Sequence, residues 1–122
     1  MAAPTGSDAW ERGRAAEDHV AGLLEADGWS IRSRNWRGDG GELDLVVERG
    51  GVLRFVEVKA RAVDDAEAGL DAIGATKRRR LRSAGDAWLA AHGLPDREVA
   101  FLVVVVTLDP AGWTVERLDD AF

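Results

Sequence analysis

From Val99 to Thr107 the chain is almost unbroken by polar side chains. That is the pattern of a β-strand covered on both faces. A second region reads the same way. About Glu42 to Glu48 and Val52 to Ala60 alternate as two strands joined around Gly50-Gly51, a hairpin signal. Both faces of that hairpin are apolar in its middle, which places it in the centre of a sheet.

The remaining elements follow from periodicity and punctuation. Asp8 with Glu11 resembles a capping box. A helix then runs to about Ala26, with Ala16, Val20, Leu23 and Leu24 on its apolar side and Gly28 as its stop. Trp29, Ile31 and Ser33 alternate with Ser30, Arg32 and Arg34, which predicts a strand, and Arg37 to Gly41 reads as a glycine-rich loop. Arg61 to Ala75 reads as loop with at most one helical turn. A helix from near Thr76 carries the stripe Leu81, Ala84, Gly85, Trp88, Leu89 and is ended by Gly93 and Pro95. Asp109 to Gly112 turns into a last strand, about Trp113 to Leu118. Trp29, Trp88 and Trp113 are expected in the core. The order is α-β-β-β-α-β-β, an α/β fold with a mixed central sheet flanked by helices.

A chain of 122 residues fits one domain with a real core. Residues 13–122 are read as that domain and 1–12 as an N-terminal extension and helix start. The absence of cysteine excludes a disulfide scaffold, thiolate zinc and thiol catalysis, and it fits the cytoplasm. No run approaches the ~18 apolar residues of a membrane span, and the N-terminus has no signal-peptide pattern. With two histidines far apart, both expected at the surface, a histidine metal cluster or catalytic triad is disfavoured. Gly38, Gly40 and Gly41 make no phosphate loop, because a strand rather than a helix follows.

The hairpin register places chemistry on one face. If Gly50-Gly51 is the turn, Arg49 pairs with Val52, Asp44 faces Glu57, and Glu42 faces Lys59. Opposed side chains project to the same face, ~5 Å apart. Val46, Leu53 and Phe55 share the face of Asp44 and Glu57, while Leu43, Leu45, Val47, Val56 and Val58 take the other. Two opposed carboxylates in an apolar strand need water or a cation, and paired carboxylates suit Mg²⁺ or Mn²⁺. Lys59 beside such an ion is placed to activate water or steady a transferring phosphoryl group. The bland alternative is an exposed hairpin face with ordinary charges.

The net charge is −6, which argues against a general nucleic-acid coat protein. Positive charge is nevertheless local, at Arg32, Arg34 and Arg37 and from Lys77 to Arg82. Lysine occurs only at Lys59 and Lys77. Lys77 lies on the stripe of Leu81, Ala84 and Trp88, facing the sheet, with Arg78 and Arg82 flanking it and Arg79 further out. Cations at a helix N-terminus oppose its dipole, so phosphate contact is expected of Lys77, with a solvated basic helix end as the alternative. Arg34, Asn35, Trp36 and Arg37 could track a backbone and stack a base, although Trp36 is at least as well explained as packing.

Asp44, then twelve residues, then Glu57-Val58-Lys59 resembles the PD-(D/E)xK, restriction-endonuclease-like nuclease superfamily, with Leu43 where the name has proline. The sequence resembles more closely the YraN-type family of uncharacterised, endonuclease-like bacterial proteins. The matching segments are Gly13 to Glu17, Arg34 to Arg37, Gly41 to Val46, Phe55 to Lys59 with Arg61, and Gly69 to Lys77. The resemblance implies metal ligation by Asp44, Glu57 and the Val58 carbonyl, a catalytic Lys59, and a first-helix Glu17 that approaches the metal. The alternative for Glu17 is a solvated helix residue. Family members carry an aspartate after the phenylalanine of the penultimate strand, where this chain has Leu102 after Phe101.

Three functions are therefore in view: a Mg²⁺- or Mn²⁺-dependent endonuclease, a catalytically silent nucleic-acid-binding module, and a partner protein acting through its acidic surface. DNA, branched or single-stranded, is expected ahead of RNA. Cutting two strands would suit a homodimer.

Overall fold

The computed structural model describes residues 6–62 and 74–119. Its elements are α1 (Gly6–Ala26), β1 (Ser30–Gly38), β2 (Gly41–Arg49), β3 (Val52–Ala62), α2 (Ala75–Ala91), β4 (Ala100–Asp109) and β5 (Gly112–Leu118). This is the expected α/β order. The strands lie side by side in sequence order. Every neighbouring pair is antiparallel except β3–β4, which is parallel and is bridged by the segment containing α2.

Each sheet face has its own helix. Ala16, Val20, Ala21 and Leu24 of α1 pack with Leu45, Val47, Val56, Leu102, Val104 and Val106. On the other side Leu81, Ala84, Trp88 and Leu89 of α2 pack with Val46, Leu53, Phe55, Val103 and Val105. The strands β2, β3 and β4 are thus covered twice, and this is why their sequences lack a polar face.

Both helices end on a glycine. Gly28 has φ 90°, and the Trp29 N–H donates to the Leu24 carbonyl at 3.0 Å. Gly93 has φ 72°, and the Leu94 N–H donates to the Leu89 carbonyl at 2.8 Å. In each case a left-handed residue turns the chain so that a following N–H satisfies an orphan carbonyl. Gly85 serves packing instead. A Cβ there would lie 2.6 Å from Phe55 Cε2. Gly85→Ala is therefore expected to destabilise by about 1–2 kcal/mol, overpacking outweighing up to ~1 kcal/mol of helix propensity. Urea unfolding measures it.

Several expectations need correction. Leu23 is 47% exposed, because it lies off the face that α1 buries. Trp113 is 41% exposed, since it lies on β5, an edge strand of the sheet. It meets the ring of His19 edge-on at 4.8 Å, so His19 is half-buried, whereas His92 is exposed and stacks on Trp88. The helix α1 starts before Asp8. In place of a glycine-rich loop, β1 and β2 meet in a tight turn at Asp39 and Gly40, both at positive φ, the two-residue geometry that matches strand twist. Most of the loop expected from Arg61 to Ala75, residues 63–73, lies outside the described residues. No helix among the described residues is long and apolar enough to cross a membrane.

Candidate metal and phosphate site

The hairpin register is as expected where it is paired. Arg49 partners Val52 and Leu45 partners Val56. The ladder then stops, so Asp44 and Glu57, and Glu42 and Lys59, are not ladder partners. Instead Asp44 Oδ2 accepts the Val58 N–H at 2.8 Å, a side chain taking the place of a strand carbonyl. Face alternation breaks at the same point. Leu43 and Val46 both pack towards α2, while Leu45 and Val47 pack towards α1, so Leu43 is not on the face the alternation predicted. On the neighbouring strand Asn35 sits at φ 50°, between the pairs Arg34–Leu45 and Trp36–Leu43. Two opposed carboxylates in a continuous ladder would repel. The irregularity lets Asp44 bond to backbone.

Phe55, Glu57 and Lys59 pair with Phe101, Val103 and Val105 of the parallel strand, and these partners pack on the α2 side. Glu57 is only 7% exposed. Its Oε1 lies 2.7 Å from Lys77 Nζ. The helix stripe explains the reach, since Lys77 stands one turn before Leu81.

Burial bears on the charges of this site. Burial raises the Asp44 carboxyl from 3.8 to about 8, aided by the charges of Glu57 and Glu17 and resisted by the Val58 N–H. Burial also raises Glu17. A hydrogen bond from Asn35 opposes that shift, Glu42 adds to it, and Arg14 and Arg34 oppose it. Glu17 Oε2 is buried without a hydrogen-bond partner, a costly state for a polar atom. Burial disfavours charge on Lys77, but Glu57, Asp44 and Glu42 outweigh it and hold the ammonium above the ordinary lysine range.

Two cavities meet at Asp44. One, of about 600 Å³, lies towards α2 and is lined by Arg37, Glu42, Asp44, Glu57, Lys77 and Arg80, with Gly41 in its wall. The other, of about 440 Å³, lies towards α1 and includes Arg14, Glu17 and Asn35, sharing Arg37, Glu42 and Asp44 with the first. The fold therefore gathers Asp44, Glu57, Glu17, Asn35, Arg37 and Lys77. Lys59 shares the side of Glu57 but lines neither cavity. Arg34 is ion-paired with Asp18 of α1, and Arg78 lines neither cavity. Arg80 was not anticipated, although it stands three residues from Lys77 and so on a neighbouring ridge of the helix. Leu102 pairs with Val56 inside the α1-side core, so the residue standing at the family aspartate position is here a packing residue.

No three His, Cys, Asp or Glu side chains among the described residues group closely enough to hold a metal unaided. Mg²⁺, however, keeps several waters and needs only one or two carboxylates. Asp44 and Glu57 fit that demand, and Glu17 Oε2 lies buried without a partner at the adjoining cavity.

Comparison with known proteins agrees with the residue pattern. Uncharacterised protein family UPF0102 matches residues 16–106. A UPF0102 protein of Nitratidesulfovibrio vulgaris is 44% identical over 110 residues, covering 90% of this chain and 82% of the relative. One from Gloeobacter violaceus is 50% identical over 99 residues, covering 80% and 79%. Among solved structures, Pyrococcus furiosus SfsA in complex with Ca²⁺ is similar at a TM-score of 0.41 and 15% identity, over 93% of this chain and 64% of that one.

Proposed function

This chain belongs to UPF0102, the YraN-type family, and from that premise we propose that it is a Mg²⁺- or Mn²⁺-dependent endonuclease hydrolysing phosphodiester bonds in nucleic acid. One observation carries the reading. Asp44 stands between two cavities, one whose wall also presents Glu57, Arg37, Lys77 and Arg80, and one that also presents Glu17 and Arg37. Carboxylates alone would repel a phosphodiester, and arginines and lysine alone would merely bind it. The combination suits hydrolysis.

Asp44, Glu57 and the Val58 carbonyl would hold the cation. Bound there, it would neutralise charge and polarise a phosphoryl oxygen. The chain's own side chains do the rest. Arg37 and Arg80 hold phosphate oxygens and set the path of the backbone. Glu17 turns its unpartnered oxygen to a water. Lys59, on the Glu57 side of β3, steadies negative charge developing on the phosphoryl oxygens. DNA is the preferred substrate, branched or single-stranded, and a second copy of the chain would serve the second strand of a duplex.

Branched, single-stranded and duplex DNA, and RNA, incubated with Mg²⁺ or Mn²⁺ form the test. Cleavage is expected only with the cation, and it should be lost in Asp44→Ala and Lys59→Ala. Cleavage that persists in both variants would sink the site. A second reading, a silent nucleic-acid-binding module, draws on the Lys77–Glu57 ion pair and on the lack of a three-acid cage among the described residues. Binding without turnover on every substrate would favour it.

A further inference from the structure

Lys77 stands where a second positive charge is needed. Its Nζ is 2.7 Å from Glu57 Oε1, in the wall of the cavity that Arg37 and Arg80 also line. Glu57 is nearly buried, yet the Lys77 side chain is 54% exposed, so the ammonium has open space into which it can turn. The residue type matters as well. A lysine is a point charge on a flexible four-carbon stem, whereas an arginine would clamp a carboxylate through a planar fork. Lysine is used at only two positions of this arginine-rich chain, and one of them faces the buried acid.

Resting on the metal site proposed above, we propose that Lys77 is an internal counter-ion. It competes with the divalent cation for Glu57 and, once displaced, turns into the cavity to meet a substrate phosphate. Cation binding and phosphate binding are then coupled, each favouring the other equally, as linkage requires. Without a cation, the ion pair spares Glu57 the cost of standing unpaired beside Asp44. With one, the released ammonium adds to the phosphate-binding charge of Arg37 and Arg80. The protein thus holds its phosphate site partly closed until the cation is loaded.

Calorimetric titration of Mn²⁺ into metal-free protein tests this without reference to activity. Lys77→Met removes the competitor and should tighten Mn²⁺ binding roughly two- to fivefold, the size a half-exposed ion pair supports. Lys77→Arg should weaken binding, because its fork holds Glu57 more firmly. Asp44→Asn should abolish binding in every background. The melting temperature of metal-free Lys77→Met should fall, with Glu57 unpaired, and recover on adding Mn²⁺. Binding of a fluorescent single-stranded oligonucleotide should strengthen with Ca²⁺ in the wild type and lose that gain in Lys77→Met. If Lys77→Met binds Mn²⁺ as the wild type does, or more weakly, while Asp44→Asn still abolishes binding, the counter-ion role is overturned and the metal site stands. If neither the wild type nor Lys77→Met binds Mn²⁺, the metal site itself falls.

Discussion

Asp44→Asn is expected to stabilise the metal-free protein at pH 8 while ending the cation-dependent cleavage proposed above. The unfolded Asp44 loses its proton near 3.8, whereas the folded carboxyl holds it to about 8. Across that window the native state binds more protons than the unfolded state, so stability falls as pH rises from about 4 to about 8 and levels off beyond. This is the reverse of a salt-bridged aspartate. The full shift corresponds to a ceiling of about 6 kcal/mol. Glu57 and Glu17 share in the same crowding, so about 1–3 kcal/mol is expected for Asp44 alone.

Asparagine removes the penalty and keeps the shape. Its Oδ1 can still accept the Val58 N–H now bonded to Asp44, and its amide can donate to Glu57. Thermal unfolding in chelator between pH 4 and pH 9 should show a steep fall for the wild type and a flatter profile for the variant, the two converging towards pH 4. Cleavage should drop by about 10³-fold or more, as when several kcal/mol of charge stabilisation is withdrawn from a transition state. A variant equally stable at pH 8 and still active would refute the role given to Asp44.

Gly41→Ala is expected to disturb fold and site together. A Cβ at Gly41 would lie 2.4 Å from the Arg80 carbonyl oxygen and 3.1 Å from Ala84 Cβ. The first obstacle is helix backbone, which cannot rotate aside as a side chain can. The start of β2 and the middle of α2 must therefore separate, at a cost of about 2–3 kcal/mol. The helix that moves carries Lys77 and Arg80, and the strand that moves leads to Asp44. Denaturant unfolding should report the lost stability. Mn²⁺ affinity should change even though no ligand is altered. Arg80→Ala makes the contrast: it removes a cavity charge while leaving the Gly41 contact, which is to backbone, in place.

Gly85 within α2 and Gly41 packed against it show what a local pattern can and cannot reveal. Gly85 fell on a recognised apolar stripe, so its burial followed from spacing, although its partner Phe55 did not. Gly41 read as part of a loop. Only the approach of Arg80, distant in sequence, explains why that position accommodates no side chain without movement.

The acid site divides similarly. The turn at Gly50-Gly51 and the alternation of Val52 to Lys59 were enough to set the register from Arg49–Val52 to Leu45–Val56. They could not show that the ladder stops at Asp44. Alternation assumes that pairing continues, and here a side chain displaces it while Asn35 leaves extended geometry on the neighbouring strand. Alternation puts Leu43 on the wrong face for the same reason, and apolar character puts Trp113 in the core because it does not reveal an edge strand.

The sequence by itself determined the α-β-β-β-α-β-β order, the central hairpin and the doubly covered strands. Each is a local period or a glycine stop, and nearby residues carry it. The apolar run from Val99 to Thr107 forms most of β4, Ala100–Asp109, whose buried portion runs from Leu102 to Thr107. Tertiary structure alone decided that Asp44 would bond to Val58, that Glu17 would be left with an orphaned oxygen, and that Lys77 rather than Lys59 would meet Glu57. Those outcomes depend on which distant charges are buried together, and desolvation is a property of the assembled fold.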